Sequence, residues 1–283
     1  MVKELKLTFR LVGGANARTE LGESPVWDPE TGDLWWVDID GRALFRYRAD
    51  HGEVRRWPTP EIPGFVVLAG PEQPAIGMQT GIHAFDPVTA GFECLVPYAG
   101  PGQRFNDATV DHQGRLWAAT MALDAEPAKA SIYRVTCSLA LDRVVVGLAI
   151  PNGLAYDPER SRLYYSDSHR DVQTIWILQP ETKEADRNEA VIFATTTALK
   201  GRPDGAVLSS DGSYWIAGVD GAELYVFDPD GELKWTVSVP FPAPTKVTFF
   251  GAGGRAIAVT SKNQGVNGGW LAIAELPDSV APG

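Results

Sequence analysis

The chain has 283 residues, of which 44% are hydrophobic and 22% are charged, so it is long enough to bury a sizeable core. Its formal net charge of -11 argues against nucleic acids and anionic membranes as partners, because their phosphates would be repelled. No segment looks like a signal peptide or a membrane span, and we therefore expect a cytoplasmic protein that acts on a small molecule.

The predicted elements are short strands, because the many Gly (29), Pro (21) and Trp (9) residues suit strands joined by tight turns. One pattern recurs along the chain: an apolar strand, a turn with Asp and Gly or Pro, and a second strand rich in aromatic residues. In chain order, the six copies begin at Val26, Val66, Val110, Tyr156, Leu208 and Val247. A spacing of roughly 40 to 50 residues is typical of four-stranded propeller blades.

Each copy is followed by a second hairpin, except that the sixth, with its strand at residues 270–273, has no room for a partner strand. The N-terminal run at residues 5–10 alternates in polarity and precedes the first copy, so we expect it to supply the missing strand. The sequence therefore predicts a single domain over residues 1–283: a six-bladed β-propeller with four-stranded blades, whose ring is closed by the N-terminal strand.

The loops that lead into the innermost strands of a propeller open on one end of its central channel. Four of these loops carry an oxygen ligand at corresponding positions, namely Glu23, Asn106, Asn152 and Asp204. Two carboxylates and two amide oxygens suit one divalent cation, such as Ca²⁺ or Mg²⁺, with Mn²⁺, Zn²⁺ and Fe²⁺ as alternatives. The competing interpretation is that these residues only form turns, since Pro-Asp-Gly and Asn-Gly are common turn sequences.

The gluconolactonase and regucalcin family, also called senescence marker protein, has four signature segments. This chain resembles them at Glu23-Ser24-Pro25, Arg104-Phe105-Asn106-Asp107, Pro151-Asn152-Gly153 and Pro203-Asp204-Gly205. The resemblance extends over nearly the whole chain. It implies a six-bladed propeller that holds one divalent metal, with Ca²⁺ favoured, and hydrolyses sugar lactones.

The resemblance also implies roles for single residues. Glu23, Asn152 and Asp204 would be the metal ligands, and Asn106 would lie near the metal, either directly or through water. Asn106 would also bind substrate hydroxyls together with Arg104. We further expect Asp204 to activate the attacking water while the metal polarises the lactone carbonyl, which yields the aldonic acid.

Two positions depart from the family pattern or carry no assigned role. Where the family often has an acid that reaches the sugar, this chain offers Asp124 and Glu126, of which we prefer Asp124 as the substrate-binding residue. Lys246, near the same face, could attract the carboxylate product, but we expect it to be a solvated lysine.

Two other functions remain open at this point. The first is a lactonase or phosphotriesterase for non-sugar substrates, which an apolar site mouth would favour. The second is a calcium-binding propeller without catalysis, which would bind metal tightly and turn over no lactone. In each case we expect a monomer or a weak homo-oligomer.

Overall fold

The computed structural model describes residues 2–70, 73–179, 185–186, 190–278 and 280. Within these ranges the chain is mostly β-strand, and its strands form six sheets. The first two strands are β1 (Lys3–Leu5) and β2 (Arg10–Leu11). Short 3-10 helices lie at Gly14–Ala17, Ala252–Gly254 and Gly265–Asn267, and no helix in the described ranges is long and apolar enough to cross a membrane.

The first three blades follow one another along the chain, each beginning with its innermost strand. Blade one contains β3 (Gly22–Asp28), β4 (Asp33–Asp38), β5 (Ala43–Arg48) and β6 (Glu53–Pro58). Blade two contains β7 (Phe65–Leu68), β8 (Pro74–Gly77), β9 (Gly81–Asp86) and β10 (Gly91–Pro97). Blade three contains β11 (Gln103–Val110), β12 (Leu116–Ala122), β13 (Ala130–Val135) and β14 (Leu141–Leu148).

The last three blades complete the set. Blade four contains β15 (Pro151–Asp157), β16 (Arg162–Asp167) and β17 (Thr174–Leu178). The next strand, β18 (Ala185–Asp186), pairs with β14 of blade three, and β19 (Val191–Thr195) is the outer strand of blade four. Blade five contains β20 (Arg202–Leu208), β21 (Tyr214–Val219), β22 (Glu223–Phe227) and β23 (Leu233–Ser238). Blade six contains β24 (Pro244–Phe250), β25 (Ala256–Ser261) and β26 (Ala272–Glu275).

The six innermost strands surround a central channel. They touch one another in the order β3, β7, β11, β15, β20 and β24, and β24 touches β3. The predicted six-bladed β-propeller is therefore confirmed.

The N-terminal segment closes the ring, but with a pairing that differs from the predicted one. Arg10 and Leu11 pair with β26 of blade six, whereas Lys3–Leu5 runs parallel to β23 and widens blade five. The alternation of apolar and polar residues in this segment arises from packing and not from strand pairing. Leu5, Leu7 and Phe9 pack into the hydrophobic cluster between blades five and six. The alternating polarity therefore indicates which side chains are buried, but it does not determine which strand the segment pairs with.

Each of the six blade interfaces holds one hydrophobic cluster. Neighbouring aromatic residues of the second strand supply two different interfaces, because successive side chains of a strand point to opposite faces of the blade. Trp35 packs towards blade two and Trp36 towards blade six, while Tyr164 packs towards blade five and Tyr165 towards blade three. The aromatic pairs of blades one and four thus join each of these two blades to both of its neighbours.

The innermost strands share a further feature that positions the site. In five of the six, the pairing with the second strand shifts register at the same level. The shifts lie between Glu23 and Val26, Phe105 and Ala108, Asn152 and Ala155, Pro203 and Ala206, and Pro244 and Val247. Such bulges redirect side chains, and here they bring the residues of the four signature segments to the channel.

Candidate metal centre

Glu23 and Asn152 occupy the same place in their blades, just before a residue with left-handed backbone. Ser24 has φ of 53° and Gly153 has φ of 65°. At Gly153 a side chain is excluded as well, because a Cβ there would lie 2.4 Å from the Tyr214 hydroxyl, which donates a hydrogen bond of 2.6 Å to the Gly153 carbonyl. The Asn-Gly sequence of this segment therefore meets both a conformational and a steric requirement.

Two buried carboxylates, those of Glu23 and Asp204, line one cavity. Glu23 Oε2 accepts a hydrogen bond of 2.8 Å from the Ser24 amide, and the Asp204 carboxylate has no hydrogen bond or ion pair among the described residues. Burial, followed by the charge of Asp107, raises the pKa of Glu23 from 4.5 to about 7. Burial, followed by the charge of Glu23, also raises the pKa of Asp204 well above its usual value. The pair requires positive charge from a ligand or must take up protons.

A chain of hydrogen bonds connects blades three, four and five beside these carboxylates. Arg104 Nη1 donates to Asn106 Oδ1 (2.7 Å), and Asn106 Nδ2 donates to Asn152 Oδ1 (3.1 Å). Asn152 Nδ2 donates to Ser168 Oγ (2.9 Å), and Ser168 donates its own hydrogen to the Pro203 carbonyl. Because the Ser168 hydroxyl has only one hydrogen, it must accept from Asn152. This contact therefore fixes the Asn152 amide with its oxygen directed away from Ser168.

Arg104 supplies positive charge near the two carboxylates without a direct ion pair to either. Burial lowers its pKa to about 10, and the charges of Glu23 and Asp204 act in the opposite direction. The guanidinium therefore stays protonated at neutral pH. Its hydrogen bonds within the described residues use only Nη1, to Asn106 and to the Phe105 carbonyl (2.9 Å), so Nε and Nη2 remain for a ligand.

The cavity has a volume of about 270 Å³. Besides Glu23, Asn106, Asn152 and Asp204, its wall includes the side chains two positions before each of these four residues: Leu21, Arg104, Ile150 and Arg202. Side chains two residues apart in a strand point to the same side. Applied to the sequence, that rule predicts Leu21, Ile150 and Arg202 as cavity residues too. Of the four, only Arg104 was identified from the sequence.

Ser168, Thr245 and Lys262 also line the cavity, and sequence reasoning did not find them as site residues. Ser168 follows β16 and reaches the site through its bonds to Asn152 and Pro203. Nothing in a lone serine after a strand indicates such a role. Its position became evident only when blades four and five were placed side by side.

Asp124 lies in the loop after β12 and is exposed. Its Oδ1 accepts a hydrogen bond of 3.1 Å from the Glu126 amide, and Glu126 pairs with Lys129. Neither acid is among the residues that line the cavity. The substrate-binding role of Asp124 thus stays a prediction.

The donor set fits a hard divalent cation. The described residues contain no group of three or more His, Cys, Asp or Glu side chains arranged to hold a metal. The candidate site instead combines the two carboxylates of Glu23 and Asp204 with the amide oxygen of Asn152. An all-oxygen set of this kind suits Ca²⁺ or Mg²⁺ better than softer metals.

The sequence profile described as the SMP-30/Gluconolactonase/LRE-like region matches residues 21–263. A 6-deoxy-6-sulfogluconolactonase from Pseudomonas putida is 31% identical over 246 residues, which cover 86% of this chain and 84% of that protein. An L-arabinolactonase from Azospirillum brasilense is 31% identical over 265 residues, which cover 91% of this chain and 86% of that protein.

Among solved structures, a calcium-binding protein, regucalcin, from Agrobacterium tumefaciens has the same fold. The two superpose with a TM-score of 0.88 over 98% of each chain, at 23% sequence identity. The profile covers most of the chain, including all four signature segments and the cavity residues that they supply. The chain therefore belongs to the SMP-30/Gluconolactonase/LRE-like family.

Proposed function

We propose that this protein hydrolyses a sugar lactone to the corresponding aldonic acid, with one divalent cation, preferably Ca²⁺, as cofactor. The family includes lactonases for 6-deoxy-6-sulfogluconolactone and L-arabinolactone, and the chain is a hydrolase of lactone esters. The observation that carries the metal dependence is the pair of buried carboxylates, Glu23 and Asp204, which face one small cavity without an ion pair in the described residues.

Glu23, Asp204 and the Asn152 amide oxygen would hold the cation, which when bound supplies Lewis-acid polarisation of the lactone carbonyl. The protein contributes the orientation of these three groups. Asn152 is held from both sides, by Asn106 and by Ser168, and Glu23 is held by the Ser24 amide.

Asp204 is our choice for the general base. Its carboxylate lines the cavity and makes no hydrogen bond among the described residues, so its oxygens are available to a water molecule. As the water oxygen bonds to the carbonyl carbon, Asp204 takes one of its protons. The bond between the carbonyl carbon and the ring oxygen then breaks, and the proton passes from Asp204 to that oxygen, which becomes a hydroxyl of the aldonic acid.

Arg104 and Asn106 are proposed to bind the substrate. The unused Nε and Nη2 donors of Arg104 suit the hydroxyls of a polyol or the ring ester. Asn106 shares its oxygen with Arg104, so the two residues form one preformed polar surface. The cavity volume of about 270 Å³ is small among ligand sites and suits a monosaccharide lactone.

One observation favours a second candidate, a lactonase for less polar substrates. Five apolar side chains contribute to the cavity wall beside the polar residues: Leu21, Ile39, Met121, Ile150 and Val219. Such a wall suits an alkyl substituent on the lactone ring, whereas Arg104 and Asn106 suit hydroxyls. The same assay separates these two substrate classes.

The test is hydrolysis of a panel of 1,4- and 1,5-aldonolactones and alkyl-substituted lactones, followed with a pH indicator. We expect turnover of an aldonolactone that a chelator abolishes and one divalent cation restores. Asp204→Asn should abolish turnover, while Asp171→Asn, an exposed acid three residues after Ser168, should not. Failure to hydrolyse any lactone with any cation would contradict the proposal, and turnover of the alkyl lactones alone would favour the second candidate.

A further inference from the structure

The expectation that Lys246 is a solvated lysine is wrong. Its side chain is 8% exposed and its Nζ forms an ion pair with Oδ1 of Asp107, whose side chain is 2% exposed. Lys246 lies on β24 of blade six and Asp107 on β11 of blade three. Blades three and six face each other across a ring of six, so this ion pair spans the channel.

The surrounding residues are built to keep this pair in place. Asp107 accepts hydrogen bonds of 2.8 Å from the amides of Ala108 and Leu154, and the latter belongs to blade four. On blade five, Gly205 leaves room for the lysine stem, because a Cβ there would lie 2.4 Å from both Cβ and Cγ of Lys246. The glycine of the Pro-Asp-Gly segment is therefore required by a residue of the neighbouring blade.

The pair lies between two cavities. Asn106 and Thr245, the residues just before Asp107 and Lys246, line the metal cavity. Lys246 itself contributes to a second cavity of about 330 Å³, formed by the innermost strands farther along the channel. The ion pair therefore forms the layer directly beneath the candidate metal centre. The charges of Asp107 and Lys246 both act on the Glu23 carboxylate, in opposite directions.

We propose that Lys246 sets the charge of the metal centre: its ammonium neutralises Asp107, so that the bound cation meets the carboxylates of Glu23 and Asp204 without the charge of a third. This inference rests on the metal site proposed above. An uncompensated Asp107 would add a third negative charge next to Glu23 and Asp204. Such a site binds multivalent cations more tightly, and trivalent cations gain more than divalent ones, because the Coulomb energy scales with ionic charge. Without a cation it is less stable, since a buried charge has lost its partner.

The experiment compares the wild type, Lys246→Met, Asp107→Asn and the double variant, by calorimetric titration with Ca²⁺ and with Tb³⁺. We expect Lys246→Met to bind Ca²⁺ at least tenfold more tightly than the wild type, and Tb³⁺ to gain a larger factor. Asp107→Asn leaves the ammonium uncompensated and should weaken Ca²⁺ binding at least tenfold. The double variant, which removes both charges, should return to within threefold of the wild type.

A second readout is the unfolding temperature in chelator, where Lys246→Met should fall below both the wild type and the double variant. If Lys246→Met does not fold in chelator, the opposite shift expected for Asp107→Asn still decides the matter. Ca²⁺ affinities within threefold of the wild type for both single variants would overturn the inference. That result would leave lactone hydrolysis by the wild type intact, whereas a wild type that binds neither cation would overturn this inference and the metal dependence together.

Discussion

Replacing Glu23 by Gln should stabilise the metal-free protein and destabilise the metal-loaded one. Gln has the same shape and its carbonyl oxygen can keep the bond to the Ser24 amide. It removes one of the two buried negative charges. Without a cation, the buried charge of Glu23 lowers the stability of the folded protein. With a cation bound, the Glu23 carboxylate is a metal ligand and raises that stability.

The magnitude follows from the pKa of Glu23, which burial and then the charge of Asp107 raise from 4.5 to about 7. Because the folded pKa lies above the unfolded one, the folded state holds the extra proton. This contribution to stability is complete below about pH 4.5 and is lost as the pH rises to about 7. The loss corresponds to about 3 kcal/mol for Glu23 alone. Asp204, whose pKa is also raised, changes stability in the same direction.

The assay is unfolding in urea at pH 5 and pH 8, in chelator and in Ca²⁺. In chelator at pH 8, Glu23→Gln should exceed the wild type by about 3 kcal/mol, or about 5 °C in unfolding temperature. At pH 5 the difference should be much smaller. In Ca²⁺ the order should reverse, because the variant binds the cation less tightly. Equal or lower stability of the variant in chelator at pH 8 would refute the reasoning.

Three further predictions concern single residues. Ser168→Ala should weaken Ca²⁺ binding about tenfold by releasing the Asn152 amide, as loss of a group that orients a ligand typically does; calorimetry giving an unchanged affinity would contradict this. If Asp124 binds the substrate, Asp124→Ala should raise KM at least tenfold while Glu126→Ala leaves it unchanged, and equal KM values in steady-state kinetics would exclude Asp124. Gly153→Ala should cost clearly more than about 1 kcal/mol in urea unfolding, since φ is 65° and Tyr214 blocks the Cβ. Its matched control is Gly52→Ala, with φ of 66° and an open surrounding, and equal costs would show that the contact with Tyr214 is unimportant.

Residue patterns that act within one blade could be interpreted from the sequence. The repeated strand, turn and aromatic strand predicted six blades, because each copy must form a hairpin and bury its aromatic side chains on both faces of a blade. Glu23, Asn106, Asn152 and Asp204 were identified because the entries to corresponding strands face one channel, although Asn106 and Asp204 stand one residue further along their strands than Glu23 and Asn152. The structure brings these four residues to a single cavity.

Contacts between blades could not be interpreted in this way. The N-terminal alternation was recognised and Arg10 does pair with blade six, but Lys3–Leu5 pairs with blade five, because Leu5 and its neighbours alternate for packing against blades five and six and not for pairing. Ser168 became a site residue only through its contacts with Asn152 and Pro203 on either side.

The sequence by itself thus determined the number of blades, the channel end that carries the candidate site, and the four oxygen-bearing side chains that meet there. The tertiary structure alone decided how those side chains are oriented and what charge lies beneath them. Lys246 shows the physical reason: a lysine in a strand is solvated unless a carboxylate and a space for its stem are brought to it. Here Asp107 supplies the carboxylate from blade three, across the channel, and Gly205 supplies the space from the neighbouring blade five.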